Sequence, residues 1–435
     1  VNLGELLKHF RRDTGRPTGL AADLLPIASL SPSLAAAPLP VDDWRQLADR
    51  YETHRTASVT AAVLTCNEED NIGNCLTSLV DDADRVLLID SGSTDKTVDA
   101  ARRARADVRV LVASWVDDFA HHRNIALSET TDGWVWYVDA DEVLASADAG
   151  RVRRVLSALD FLLPHLDLVV SPTIVDTDGT TYCNTQRVLR ADTAHRFRGR
   201  VHEHPYDDAG YAPARVEIDC RFTHSGYRPE VMEQRGKREE YGRLLAMCRK
   251  EEPDNPKWVY YLVRDTLDYR TATPDRLRAL FGELATVAKG AVDGRPDYHV
   301  ERTADSWALL CELALRFGGT EEILEYTGLL QSVDRTVEAT YYRTVMEAGR
   351  LIGRLSALVD GVTAAEADRA PATQHLMGRL FELQATLALA SGRYEVVRPA
   401  YEKAARLGVG SSVIDDFRML RQLLDEISPA DDSTL

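Results

Sequence analysis

The chain has 435 residues and a formal net charge of −17, from 52 basic and 69 acidic side chains. This length predicts two or three domains and a core large enough to fold without a disulfide or metal staple. So acidic a chain is a poor non-specific binder of nucleic acid or of an anionic membrane, so phosphates would have to be met at a local site or through a metal.

The longest apolar runs, such as Val86–Ile89 and Leu166–Val170, are far short of the ~20 residues of a membrane helix. Val1–Arg12 has no apolar h-region, so no secretory signal is read there. Cys66, Cys75, Cys183, Cys220, Cys248 and Cys311 are scattered without a CxxC pair, which argues against a zinc site and a disulfide framework. A cytoplasmic location is expected.

Residues 1–57 read as a separate helical segment. Leu3, Leu6, Leu7 and Phe10 fall at helical spacing, and the Pro/Ser/Ala stretch from Pro26 to Pro40 rules out one continuous helix. A short helix is predicted from Asp42 to about Tyr51, with Trp44 and Leu47 on its apolar face. The pattern then alternates. Val59–Thr65, Arg85–Asp90, Val108–Val112 and Trp134–Val138 read as strands. Asn71–Val80, a segment capped by Ser93 or Thr94, and Ala120–Ser128 read as helices. Strands alternating with helices predict βαβ units and a mostly parallel sheet over residues 58–229. In such sheets ligands bind beyond the carboxyl ends of the strands. From about Glu230 to residue 435 the chain reads as helical. Leu380–Gly408, with Ala385 and Ala388, a turn at Gly392, then Ala400, Tyr401 and Ala404, has the helix–turn–helix pattern of a tetratricopeptide-like repeat. Trp258–Tyr269 and Ser306–Gln331 look like weaker copies, and a plain helical bundle is the alternative.

Polar residues after the strands are the candidates for chemistry. Asp139-Ala140-Asp141 ends a clean strand, and alternate side chains of extended backbone point the same way, so both carboxylates can face one divalent cation. Two similar triplets compete. Asp82–Asp84 precedes its strand, and Asp176–Asp178 runs into Gly179 and reads as a turn. Asp90 and Ser91 open a turn that leads into a helix, where Asp90 can accept from a base or ribose, or simply belong to a capped turn. Thr65, Cys66, Asn67 and Glu68 follow the first strand with the same ambiguity. Arg123 lies one turn into a helix, placed for a phosphate or for solvent. His202, Glu203 and His204 lie in GRVHEHP and His224 in THSGYRP; a Glu there is a candidate general base.

TCNEEDNI, LLIDSGSTDKT, DDFAHHRNIAL and WVWYVDADE, followed by TQRVLR, FRGRVHEHP and THSGYRP, together resemble the family 2 glycosyltransferases of GT-A fold. KWVYYLVRDTL after EEPDNP, with the helical segments at both ends, resembles the S-glycosyltransferases that modify glycocin peptides. The resemblance implies a Rossmann-like GT-A domain followed by an all-α, TPR-like domain. It implies that Asp90 and the Thr65–Glu68 segment hold the uridine of a UDP-sugar, and that Arg123 lies near the diphosphate. Asp139 and Asp141 would bind ribose, diphosphate and Mg²⁺ or Mn²⁺, with His224 completing the metal shell. Glu203, beside His202, would stand where inverting members keep their base. The implied reaction moves a sugar, with glucose expected, to a peptide side chain, a Cys thiol above others, and a homodimer is implied. Glu142 stands where the sublancin-type enzyme carries an amide, which leaves sugar choice open. The rivals are an O-glycosyltransferase acting on Ser/Thr, a saccharide or a lipid-linked acceptor, a non-catalytic repeat scaffold, and a sugar nucleotidyltransferase. The last is disfavoured because TCNEED is acidic where a Gly-rich, basic loop would be needed.

Overall fold

Val59, Ala61 and Val63 face one side of a strand and Ala62 the other, and both sides are buried. That double burial is why the run reads as continuously apolar. A computed structural model describes residues 1–12, 18–39, 44–55, 57–224, 237–289, 292, 294–366, 373–409, 415, 418, 419, 421 and 422. The expectations on Pro40 and Asp42, and on Ser225–Pro229 of THSGYRP, lie outside the described residues.

The strands are β1 (Ile27–Leu30), β2 (Val59–Thr65), β3 (Arg85–Asp90), β4 (Arg109–Val112), β5 (Trp134–Asp139), β6 (Glu142–Leu144), β7 (Leu168–Asp176), β8 (Thr181–Tyr182), β9 (Val188–Arg190), β10 (Arg196–Arg198), β11 (His204–Tyr206) and β12 (Ala214–His224). Ten of them form one sheet in the order β1-β12-β7-β9-β5-β2-β3-β4, with β6 on β12 and β8 on β7. β2, β3, β4 and β5 are parallel neighbours, as are β7 and β12; β9 runs antiparallel between β5 and β7. β10 and β11 form a separate ribbon. The fold is therefore a mixed, mostly parallel α/β sheet, followed by helices.

The chain order runs outward from β2 to β3 and β4, then returns to place β5 on the other side of β2. This is a topological switch point, and the crevice it opens lies at the carboxyl ends of β2 and β5. The register pairs Thr65 with Asp90 and Leu64 with Asp139, so three loops meet there.

The first 57 residues are not helical throughout. Ile27–Leu30 forms β1, which extends the sheet by pairing with β12, and Leu3, Leu6, Leu7, Phe10, Leu20 and Leu24 share the core beneath the sheet. The short helix appears at Trp44–Tyr51. The helix expected to be capped by Ser93 or Thr94 starts later, at Thr97, and Asp95 Oδ1 accepts from Thr97 N at 2.9 Å. Asp82, one of the competing carboxylates, is fully buried and accepts from the backbone N–H groups of Gly150 (2.5 Å) and Arg153 (2.9 Å), so it caps the helix Arg151–Leu162.

The described residues form two compact units, Val1–Ser306 and Trp307–Leu435. In the second, the helices Gln374–Ala390 and Tyr394–Arg406 turn at Gly392 (φ +74°) and pack through Ala385, Ala388, Val397 and Ala400. This is the TPR-like hairpin predicted for Leu380–Gly408. All six cysteines are free. Among the described residues no helix is long and apolar enough to cross a membrane.

Gly133 sets the start of β5. Its φ is +77°, and a Cβ there would lie 2.0 Å from the Ser58 carbonyl oxygen, which accepts from Trp134 N at 2.8 Å. Gly133→Ala is expected to destabilise the protein by about 1–3 kcal/mol through strain and overlap. Thermal unfolding would show this as a melting temperature lowered by several degrees.

Candidate active site

The loops after β2, β3 and β5 wall a cavity of about 650 Å³, a volume suited to a small-molecule ligand. Thr65, Asn67, Glu68, Ser91, Arg123, Asp139, Ala140, Asp141, His202, Glu203 and His224 all line it. Asp90 does not. It is buried beneath the loop, and both its carboxylate oxygens lie 3.3 Å from Ser93 N.

Asn67 adopts φ +56°, a left-handed conformation that Asn tolerates better than most residues. Its side chain accepts from Thr94 N at 2.8 Å and its own N–H donates to Ser93 Oγ at 2.9 Å. The hydroxyl of Ser91 donates to Thr65 O at 3.1 Å. Ser93 and Thr94 therefore stitch the first two loops together instead of capping the next helix.

Arg123 sits in the first turns of the helix Phe119–Glu129, which Asp118 caps by accepting from His121 N at 2.9 Å. The Tyr137 hydroxyl donates to Arg123 O at 2.8 Å, and the Asn124 amide exchanges two 2.9 Å hydrogen bonds with the Phe197 backbone. The helix is thus pinned to β5 and β10. The guanidinium of Arg123 reaches Glu203 Oε1 at 2.5 Å and Asp139 Oδ1 at 3.4 Å.

Asp139 also meets a second guanidinium. Arg187 reaches its two oxygens at 2.9 and 2.7 Å, a bidentate pair, and extends to Glu142 Oε1 at 2.7 Å. Burial favours the neutral carboxyl, but Arg187 and then Arg123 outweigh it and hold Asp139 well below the usual carboxylate range. One guanidinium does not neutralise two carboxylates fully. Burial, with Asp139 adding repulsion, pushes Glu142 up to about 7 despite Arg187.

Asp141 faces His224. Asp141 Oδ1 lies 3.3 Å from His224 Nε2, both side chains being 9% exposed, while His224 Nδ1 lies 3.0 Å from Asp176 Oδ1. Burial alone would lower the imidazole, but the hydrogen bond to Asp141 and the surrounding carboxylates raise it to about 9. Asp176 is read from sequence as a turn residue. In the structure it ends β7, and the parallel register sets it opposite His224. Such a carboxylate behind an imidazole orients the ring and makes it a better ligand. The oxygen and imidazole donors of Asp141 and His224 suit two positions of a Mg²⁺ or Mn²⁺ shell. Among the described residues no cluster of three His, Cys, Asp or Glu side chains is arranged as a ligand set, and the Asp139 carboxylate is paired with Arg187.

Several residues of this site went unrecognised in the sequence. Arg187 lies in TQRVLR, where no local pattern marks its role. It reaches Asp139 only because β9 pairs with β5, with Tyr137 N donating to Arg187 O at 2.8 Å. Of the aromatics on the helices beyond the sheet, Tyr261, Trp307 and Tyr326 are buried and Tyr260 is half-buried.

A carboxyl raised in the folded state adds stability that is complete below its unfolded value, near 4.5, and is lost as the pH rises through the folded value. For Glu142 that window runs from about 4.5 to about 7. Glu142→Gln is therefore expected to flatten the decline in stability across this interval, as chemical denaturation at pH 4.5, 6 and 7.5 would show.

Residues 60–217 match the family model described as glycosyl transferase family 2. Over 322 residues, 73% of each chain, the protein is 28% identical to the SPbeta prophage-derived glycosyltransferase SunS of Bacillus subtilis. It is 26% identical over 211 residues to the lipopolysaccharide core biosynthesis glycosyltransferase LpsC of Rhizobium meliloti, which covers 46% of this chain and 74% of that protein. Among solved structures, S. aureus TarS 1–349 aligns over 68% of this chain and 91% of its own, with a TM-score of 0.34 and 13% identity. The loops gathered at the β2–β5 switch point, with their paired carboxylates and guanidiniums, thus lie in the segment that matches the glycosyltransferase family 2 model.

Proposed function

We propose that the protein is an inverting glycosyltransferase that takes a sugar, glucose in the first instance, from a UDP-sugar and places it on a Cys thiol of a peptide. The observation that carries this reading is the meeting of Asp139, Asp141, Arg123 and Glu203 in one cavity at the switch point. Extended likeness to SunS, over 73% of both chains, favours an acceptor of that enzyme's kind over the shorter likeness to LpsC.

In this reading the Thr65–Glu68 segment and Ser91 line the nucleoside end, with Asp90 supporting the loop from below. Asp141 and His224 would hold a Mg²⁺ or Mn²⁺ ion. When bound, that ion neutralises the diphosphate as a leaving group. Arg123 and Arg187 supply positive charge in an otherwise acidic chain. The acceptor sulfur forms its bond to the anomeric carbon as the bond to the diphosphate oxygen breaks on the opposite face. A free thiol with pKa near 8.5 is only a few per cent ionised at neutral pH, so Glu203 accepts the remaining proton.

Two measurements test this. Calorimetric titration of UDP and UDP-glucose is expected to show binding with Mn²⁺ that EDTA and Asp141→Ala both abolish. Absence of binding under every condition would favour the scaffold reading or another nucleotide. With matched peptides carrying one Cys or one Ser, Glu203→Gln is expected to lower transfer to Ser by about 10²–10⁴-fold. Transfer to Cys at raised pH is expected to fall far less. Equal losses with both acceptors, at intact UDP affinity, would remove Glu203 from the role of base.

A further inference from the structure

The helix Pro256–Thr266 lies beyond the segment matched to the family, yet it grips the turn that carries Glu203. Lys257, Tyr261 and Asp265 recur at every fourth residue, which sets them on one face of that helix. Asp265 Oδ2 lies 3.0 Å from His202 Nε2. The His202 ring stacks on Tyr261 with 3.7 Å between centroids and 9° between planes. Lys257, wholly buried, donates to Glu301 Oε2 at 2.6 Å, and Glu301 lies 3.1 Å from His204 Nδ1 and accepts from the Tyr206 hydroxyl. The residues on both sides of Glu203 are therefore tied to one helix, while the Glu203 carboxylate turns the other way, to Arg123.

Two features show that this is more than packing. His202 holds φ +52°, a conformation a non-glycine residue keeps only when its surroundings impose it. Lys257 and Glu301 bury opposite charges where apolar side chains would stabilise the contact as well, and an ion pair in that place contributes fixed geometry more than stability.

We propose that Lys257, Tyr261, Asp265 and Glu301 are positioning residues: they fix the His202–His204 turn so that Glu203 stands in its working place beside Arg123. This rests on the reading of Glu203 as the base. It makes the helix Pro256–Thr266 part of the catalytic unit. His202 then serves as the link between that helix and Glu203.

The test uses the full chain, UDP-glucose as donor and water as acceptor. Release of UDP, calorimetric affinity for UDP, the melting temperature and amide exchange of residues 199–206 are measured for Asp265→Asn, Tyr261→Leu and Tyr261→Phe. Asp265→Asn and Tyr261→Leu are expected to lower kcat by about 10–100-fold, as a base displaced by about 1 Å would. KM and UDP affinity should stay close to those of the parent, as should the melting temperature of Asp265→Asn, and exchange of residues 199–206 should quicken. Tyr261→Phe keeps the stacked ring and is expected to retain both rate and protection. Unchanged exchange in the two disruptive variants would overturn the proposal, whatever the donor. So would a loss of rate that merely follows a loss of UDP affinity or melting temperature. Glu203→Gln separates the two readings. If it leaves UDP release intact, the base assignment fails, and the exchange of residues 199–206 still decides whether the helix holds the turn.

Discussion

A chain of alternating charge runs through the site from Glu203 to Arg123, Asp139, Arg187 and Glu142, with links of 2.5, 3.4, 2.7 and 2.7 Å. Most of it is withdrawn from water, so each charge depends on its neighbour, and removal of one member leaves another buried without its partner. The five residues come from the turn before β11, the helix Phe119–Glu129, the end of β5, the segment before β9 and the start of β6. None of these elements can shift without breaking a link. The network therefore ties sheet, helix and ribbon into a single arrangement around the cavity.

The same chain sets two guanidiniums among three carboxylates. Arg123 and Arg187 are held in fixed orientations by Glu203, Asp139 and Glu142, so the guanidiniums in the cavity wall are preorganised and not mobile surface side chains. Asp141, His224 and Asp176 form a second line of groups beside the first. Its imidazole is held between two carboxylates, one at each ring nitrogen. Only Ala140 separates Asp139 from Asp141 in the chain, so the two lines meet in the turn after β5.

The supports of the site extend well outside the sheet. β1, from the N-terminal segment, closes the edge beside β12, the strand that ends on His224. The helix Pro256–Thr266 and Glu301 hold the residues flanking Glu203. These segments lie far apart in sequence. Their placement beside the sheet is a matter of packing: Val201, Trp258 and Tyr261 share one apolar cluster with Leu244 and Leu245.

The sequence by itself determined the central strands, because a run buried on both faces needs uninterrupted apolar residues and a parallel strand needs a helix to return. β2 and β3 fall where Val59–Thr65 and Arg85–Asp90 place them. The loops carrying Thr65–Glu68 and Asp139–Asp141 follow from the rule that parallel sheets bind ligands at their carboxyl ends, and the TPR-like hairpin from the small residues at Ala385, Ala388 and Ala400. Only the tertiary structure decided which charges meet. Arg187 joins Asp139 through the antiparallel pairing of β9, and Asp176 joins His224 through the parallel register of β7 and β12. Asp265 joins His202 across 63 positions. Local periodicity reports which way a side chain faces within its own element. It carries no information on which distant element that face will meet, since this is set by sheet order and register.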